Sequence, residues 1–292
     1  MKPATSWTKQ EAARQKCAKR FFLTYLDTTG VGAAYKSLKS TRELGGYAIH
    51  GVLADIIRAV AEGGRISDHP KAGAIALSRF EQVVQISLGV TPWERIYGLQ
   101  VAEIHNGIDA REEIDHWREI IPRCIENGLR VMSSLGLRSN SSDYRLLAET
   151  EVRFEKTGRE RRCVIDLLIE DGKNRMVVDW KCHGITNSDL SQVRLYQEYI
   201  AKSQAVPFSR LHGLAVDLIR EETIEAHYRP LDRLLSHRPS PGKPTASRED
   251  ARESYPAHPS CENCARCPFA AVCADSVVRP PFPINAFMGG FR

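Results

Sequence analysis

The sequence predicts an α/β protein, and three observations lead there. Apolar residues recur at helical spacing through most of the first 138 residues. Between 149 and 180 the pattern changes to short, β-branched, alternating or continuously apolar runs separated by turn residues. A helical spacing then returns at 188–203 and is followed by two more strand-like runs, so strands alternate with helices. The chain has 292 residues, 42% hydrophobic and 26% charged, which is long enough to bury a substantial core and excludes wholesale disorder.

Residues 5–28 read as a helix in which Lys9, Arg14, Lys16, Lys19 and Arg20 precede the apolar Phe21, Phe22, Leu23, Tyr25 and Leu26; a glycine-containing break follows at 29–32. A second helix is expected from near Leu44 through Ile49, Leu53, Ile56, Ile57 and Val60, stopping at Gly63 and Gly64. Residues 66–138 are expected to be helical as well, over 72–88 and again from Pro92-Trp93-Glu94 to near Gly136. Strands at 149–154, 163–169 and 175–180, joined by Lys156-Thr157-Gly158 and Asp171-Gly172-Lys173-Asn174, make a three-stranded meander. The helix at 188–203 places Leu190, Val193, Tyr196 and Ile200 on one face, and strands return at 211–219 and 223–228. The segments are therefore 1–65 (N-terminal helices), 66–145 (helical insertion), 146–235 (core), 236–260 (a flexible linker rich in Pro, Ser and charge) and 261–292 (cysteine cluster and Pro-rich tail).

A net charge of +5, from 41 basic and 36 acidic residues, permits a polyanionic partner without demanding one. The basic segment 9–20 and the run Arg159, Arg161, Arg162 suit either phosphate tracking or a solvated face. No apolar run approaches the roughly 18–20 residues that span a bilayer, and the N-terminus is polar from the start, so a cytoplasmic protein with no membrane partner is expected. Four of the eight cysteines, Cys261, Cys264, Cys267 and Cys273, cluster near the C-terminus, while Cys17, Cys124, Cys163 and Cys182 are scattered. In a reducing compartment such a cluster is expected to hold a metal or an iron–sulfur centre; Cys124, Cys163 and Cys182 read as ordinary buried residues.

The chemistry centres on Val177-Val178-Asp179-Trp180-Lys181. An acid and a lysine two apart on a strand project to one face. Asp166 closes the apolar run of the preceding strand, thirteen residues earlier across a turn, so antiparallel pairing would bring the two carboxylates together. Paired carboxylates repel unless a divalent cation neutralises them, and hard oxygen ligands suit Mg²⁺ or Mn²⁺. Lys181 would then orient a water for attack on a phosphodiester. The plainer reading of each residue is an ion pair facing water or a turn cap.

These residues resemble the RecB-like branch of the PD-(D/E)xK nuclease superfamily, which includes exonuclease V-type enzymes and CRISPR-associated nucleases bearing an iron–sulfur cluster. Gly46-Tyr47-Ala48-Ile49-His50 is similar to the family's Gly-x-x-x-His, Ile165-Asp166 to its first acidic strand (with Cys163 where relatives carry glycine), Asp179-Trp180-Lys181 to its Asp-x-Lys, and Gln192 through Tyr196 to its Gln-x-x-x-Tyr. The resemblance implies a restriction-endonuclease-like core, a mixed sheet flanked by helices with a helical insertion. It implies Mg²⁺ or Mn²⁺ on His50, Asp166, Asp179 and the Trp180 carbonyl, with Lys181 positioning water, Gln192 and Tyr196 ordering the lysine or the strand, and Glu151 assisting. Cys264-x2-Cys267-x5-Cys273 resembles the C-terminal motif of cluster-bearing members, which implies a [4Fe–4S] cluster on Cys17, Cys264, Cys267 and Cys273. A local four-thiol zinc site using Cys261 is the rival. The implied activity is exonucleolytic cleavage of DNA, single-stranded or with free ends, in repair, recombination or defence, alongside a helicase, repair or CRISPR partner. The competing readings are a non-catalytic subunit that binds nucleic acid or a helicase, and a zinc-binding interaction protein.

Overall fold

The computed structural model describes residues 17–21, 23–24, 38–89, 100–137, 144–156, 159–228, 257, 259–270, 273 and 275–278. In chain order the first elements are α1 (Ala18–Phe21), β1 (Leu38–Lys39), α2 (Thr41–Ala61), α3 (Ala72–Ser87), β2 (Gln100–Val101), α4 (Ala102–His105) and α5 (Arg111–Ser134). There follow β3 (Arg145–Lys156), β4 (Arg159–Asp171), β5 (Asn174–Lys181), α6 (Asn187–Gln204), β6 (Leu211–Asp217), β7 (Glu222–Glu225) and α7 (Cys261–Ala265). Two compact units result, one from residues 1–8, 46–77 and 118–239, the other from 9–45, 78–117 and 240–292.

The first unit is built on a five-stranded sheet ordered β3-β4-β5-β6-β7. The expected meander β3-β4-β5 is antiparallel; the two-residue turn between β4 and β5 uses Gly172 at φ +49°, a conformation that glycine adopts without strain. The chain then crosses over through α6 so that β6 runs parallel to β5, and β7 turns back antiparallel. Thr186 and Asp189 start α6 with a reciprocal capping box, and Ala205 ends it in the left-handed region. One face of α6 buries Val193, Tyr196, Tyr199 and Ile200 against Val152, Cys163, Ile165, Leu168, Val177, Leu211 and Ala215 of the sheet. Close approach has a definite cause at Gly213 on β6: a Cβ there would lie 2.6 Å from Val193 Cγ1. Elsewhere in the unit, Gly128 of α5 meets Leu53 of α2 and Leu218, and Asn127 Nδ2 donates to the Leu218 carbonyl at 2.7 Å.

In the second unit, Ser40 and Glu43 exchange hydrogen bonds of 2.9 and 3.2 Å that cap α2, which therefore begins three residues before the Leu44 expected from apolar spacing. The all-helical expectation for 66–138 also needs correction. Gln100–Val101 is a short strand paired in parallel with Leu38–Lys39, a pairing too brief and too distant in sequence to leave a periodic signal. The α2 segment is long and apolar enough by length and composition to cross a membrane, contrary to the expectation that no segment approaches that length. Its apolar character has another use: Ile49, Leu53, Ile56 and Ile57 are all at most 2% exposed within the fold. The expected helix outside 17–21 and 23–24, the start at Pro92, most of the linker at 236–260 and the Pro-rich tail lie outside the described residues.

Candidate metal centre and cysteine site

Four elements of the first unit deliver polar side chains to one place. α2 carries His50, β4 carries Asp166, β5 carries Asp179 and Lys181, and α6 carries Asp189, Gln192 and Tyr196. The β4–β5 ladder runs in register from Asp171 opposite Asn174 to Leu167 opposite Val178. One step beyond, where Asp166 would face Asp179, a side chain replaces the ladder: Asp166 Oδ2 accepts the Trp180 backbone N–H at 2.9 Å. The other oxygen, Oδ1, lies 3.3 Å from His50 Nδ1. Asp179 is 2% exposed, and its Oδ2 stands 2.6 Å from Lys181 Nζ. Lys181 also donates to Gln192 Oε1 at 3.1 Å, and the Gln192 amide donates to the Tyr196 hydroxyl.

Electrostatics follows from this crowding. Burial pushes the Asp179 carboxyl up to about 7, Asp166 adds to the rise, and Lys181 opposes it. Burial works against the charged forms of Lys181 and His50, yet the facing carboxylates outweigh it and both groups are raised. Asp166 is likewise penalised by burial, but His50, the Trp180 N–H and Lys181 hold it below its ordinary value. Burial and the two acids keep the Tyr196 hydroxyl protonated.

The structure therefore brings together His50, Asp166, Asp179, Lys181, Gln192 and Tyr196. Glu151 stands on β3 opposite Val164 and pairs with Arg153 at 2.6 Å. At Gly46, the first residue of the histidine motif, a β-carbon would meet nothing within 4 Å, so packing does not require glycine there. Two carboxylates, an imidazole and a backbone carbonyl form a donor set that fits a hard divalent cation, and a buried carboxyl near 7 is one that a cation would return to its ionised form. Among the described residues no three His, Cys, Asp or Glu side chains already form a metal cage. Instead the imidazole rests on Asp166 and the ammonium on Asp179, opposite charges meeting pairwise.

Asp189 is a site residue that motif reasoning misses. It is 8% exposed, with Oδ1 3.6 Å from Lys181 Nζ, and its readable signal is the Thr186-x-x-Asp189 capping pattern ahead of the helix. His183, which has no role in the sequence motifs, has Nδ1 3.9 Å from Asp189 Oδ2.

The second unit holds Cys17 and the four clustered cysteines. Cys17, Cys264, Cys267 and Cys273 line one cavity, together with Lys19, Arg20, Phe269 and Asp275; Cys261 is exposed and is not among the lining residues. Asn106, 1% exposed, donates through one amide group to the carbonyls of Ala265 at 2.8 Å and Cys267 at 3.0 Å, and more weakly to Cys264 at 3.4 Å. Arg266 in the same loop pairs with Glu113 at 3.1 Å. Burial pushes the Cys267 thiol up to about 11, so it is neutral in the absence of a cation. Four thiols are the donor type of an iron–sulfur cluster, but among the described residues these side chains do not already form a metal cage. Cys163 is buried in the sheet core, and burial pushes its thiol up to about 12; Cys124 and Cys182 are buried too, as expected.

No curated protein matches the sequence. Among solved structures, protein VC1899 from Vibrio cholerae aligns at 11% identity and a TM-score of 0.24, over 74% of this chain and 48% of that one. The chain thus spans about half the length of that protein, and the likeness is too low to bear on the fold. A family match of another kind covers residues 6–274 and includes every residue of the site just described. With a mixed sheet flanked by helices and two acids and a lysine at the end of its central hairpin, the chain belongs to the PD-(D/E)XK nuclease superfamily.

Proposed function

We propose that this protein is a Mg²⁺- or Mn²⁺-dependent deoxyribonuclease of the RecB-like branch, acting as an exonuclease on DNA that is single-stranded or has free ends. The observation that carries the reading is the convergence of Asp166, Asp179 and Lys181 with His50 on one side and Gln192 and Tyr196 on the other. His50, Asp166, Asp179 and the Trp180 carbonyl would hold the cation. When bound, it supplies a water of lowered pKa and neutralises phosphate charge. Lys181 contributes a fixed positive charge and a proton donor beside the scissile phosphate, and Gln192 and Tyr196 keep that ammonium from swinging away. Asp179 is buried and Lys181 nearly so, which strengthens the attraction between them by removing water from their pairing.

The same proposal assigns a structural [4Fe–4S] cluster to Cys17, Cys264, Cys267 and Cys273. Its support is that an early cysteine and three late ones share a cavity while Cys261 stays outside. Repair, recombination or defence is the setting proposed, with a helicase, repair or CRISPR protein as partner.

The test is a time course on end-labelled single- and double-stranded oligonucleotides with Mg²⁺, Mn²⁺ or EDTA. Cleavage that progresses from an end, requires the cation and stops with EDTA is expected. Cation-independent cleavage, or none on any substrate, overturns the reading. Iron and sulfide analysis of anaerobically purified protein tests the cluster; zinc in place of iron would favour the rival site.

A further inference from the structure

Lys181 has two close acceptors at its ammonium, Asp179 Oδ2 at 2.6 Å and Gln192 Oε1 at 3.1 Å, and a second carboxylate, Asp189 Oδ1, at ion-pair distance, 3.6 Å. An ammonium has three protons to give, so one remains for a partner on the side where Asp189 stands. The two carboxylates reach it from different elements, Asp179 from β5 and Asp189 from the first turn of α6. Asp189 is itself tightly held. Its Oδ2 accepts from the Thr186 N–H at 2.9 Å and from the Thr186 hydroxyl at 2.6 Å, which completes the helix cap. Capping uses Oδ2 alone and leaves Oδ1 directed at Lys181. A carboxylate only 8% exposed is costly to bury, and a cap needs only a hydrogen-bond acceptor there; the basic groups that face the charge are Lys181 at Oδ1 and, more distantly, His183 at Oδ2.

We propose that Asp189 is a positioning residue: with Gln192 it forms a second anchor that keeps Lys181 in the site when the Asp179 carboxylate is engaged by a divalent cation. The role rests on the nuclease reading of the site. Asp179 has two competing claimants, since the same carboxylate that holds Lys181 is among the cation's donors. With Asp179 as its only acidic partner, the ammonium would either compete with the cation or be released on a flexible four-carbon stem. Asp189 removes that conflict because it lies on the α6 side and caps the helix whether or not Asp179 is occupied.

The decisive substitution is Asp189→Asn, which keeps an oxygen for the Thr186 cap and removes the charge. Two readouts are compared with wild type: kcat and KM on a labelled oligonucleotide, and Mn²⁺ binding by calorimetry without substrate. Expected are a kcat lower by about tenfold or more with KM nearly unchanged, and Mn²⁺ affinity weakened several-fold as Lys181 falls back onto Asp179. Asp189→Glu should recover part of both. In a Lys181→Met background, Asp189→Asn should change neither kcat nor Mn²⁺ affinity further, because the coupling partner is gone. Wild-type kcat and Mn²⁺ affinity in Asp189→Asn, or an equal further loss in the Lys181→Met background, overturns the role. If wild type cleaves and Asp179→Ala does not, those outcomes refute Asp189 alone. If wild type shows no cation-dependent cleavage, the nuclease reading fails, while the Mn²⁺ arm still decides whether Asp189 is coupled to Lys181.

Discussion

The acidic site and the cysteine cavity hold their polar groups in two different ways. In the first, each charge already has its counter-charge: His50 rests on Asp166, and Lys181 on Asp179. The β5–β6 ladder fixes Asp179 and Lys181, the Trp180 N–H holds Asp166, and helix α2 carries His50. In the second, the side chains have no such compensation, because Cys267 is a neutral thiol pushed upward by burial and its neighbours in the cavity include three more sulfurs. That segment is held by a five-residue helix, by Asn106 and Arg266, and by the buried Phe269 and Ala270. The acidic site is thus held by opposite charges, the cysteine segment by hydrogen bonds and one ion pair at its edge.

The strongest challenge to this contrast comes through the acids. Asp179→Asn should reduce cation-dependent cleavage to background while leaving thermal unfolding and iron content unchanged. Lys181→Ala should cost about 10²–10⁴-fold in kcat, the range for loss of a positioned proton-transfer group. Retained cleavage in either purified variant would remove the site.

Cys17→Ser should discharge iron and lower the unfolding temperature, whereas Cys261→Ser should keep the full iron complement. The opposite pattern, read by metal analysis, would move the ligand set. Asn106→Ala leaves the carbonyls of Ala265 and Cys267 without their buried donor and should cost about 1–3 kcal/mol. Iron retention should fall with it, while Mn²⁺ binding at the acidic site stays at the wild-type level. The smallest effect is expected at Gly46, where nothing crowds a β-carbon: Gly46→Ala should raise stability by about 0.5–1 kcal/mol. Weaker substrate binding in a correctly folded Gly46→Ala protein would show that DNA passes over that turn of α2.

Much of this arrangement is legible in the chain because local rules and the final structure agree. The Asp171-Gly172-Lys173-Asn174 turn sets the β4–β5 hairpin, and period-two alternation puts Asp179 and Lys181 on one face. The apolar stripe of α6 predicts which side Val193 and Ile200 bury. Other features leave no periodic trace. Pairing of Leu38–Lys39 with Gln100–Val101 joins two-residue segments far apart in the chain, too little for any pattern to register. The start of α2 is set by the Ser40–Glu43 cap, a polar signal that apolar spacing does not record. Asp189 is hidden by its own first duty, since a capping acid looks complete without a second partner.

Residue order is enough to specify the hairpin, the helix that crosses over from it, the acid–lysine spacing and the cysteine spacing, because turn chemistry and side-chain alternation act over a few residues. Which distant groups meet is settled by the folded chain. Only there does His50 of α2 come against Asp166, Asp189 sit beside Lys181, and Cys17 join three cysteines from the other end of the sequence. Such meetings depend on the packing of whole elements, a balance of burial and close approach summed over the core, and no short stretch of sequence contains it.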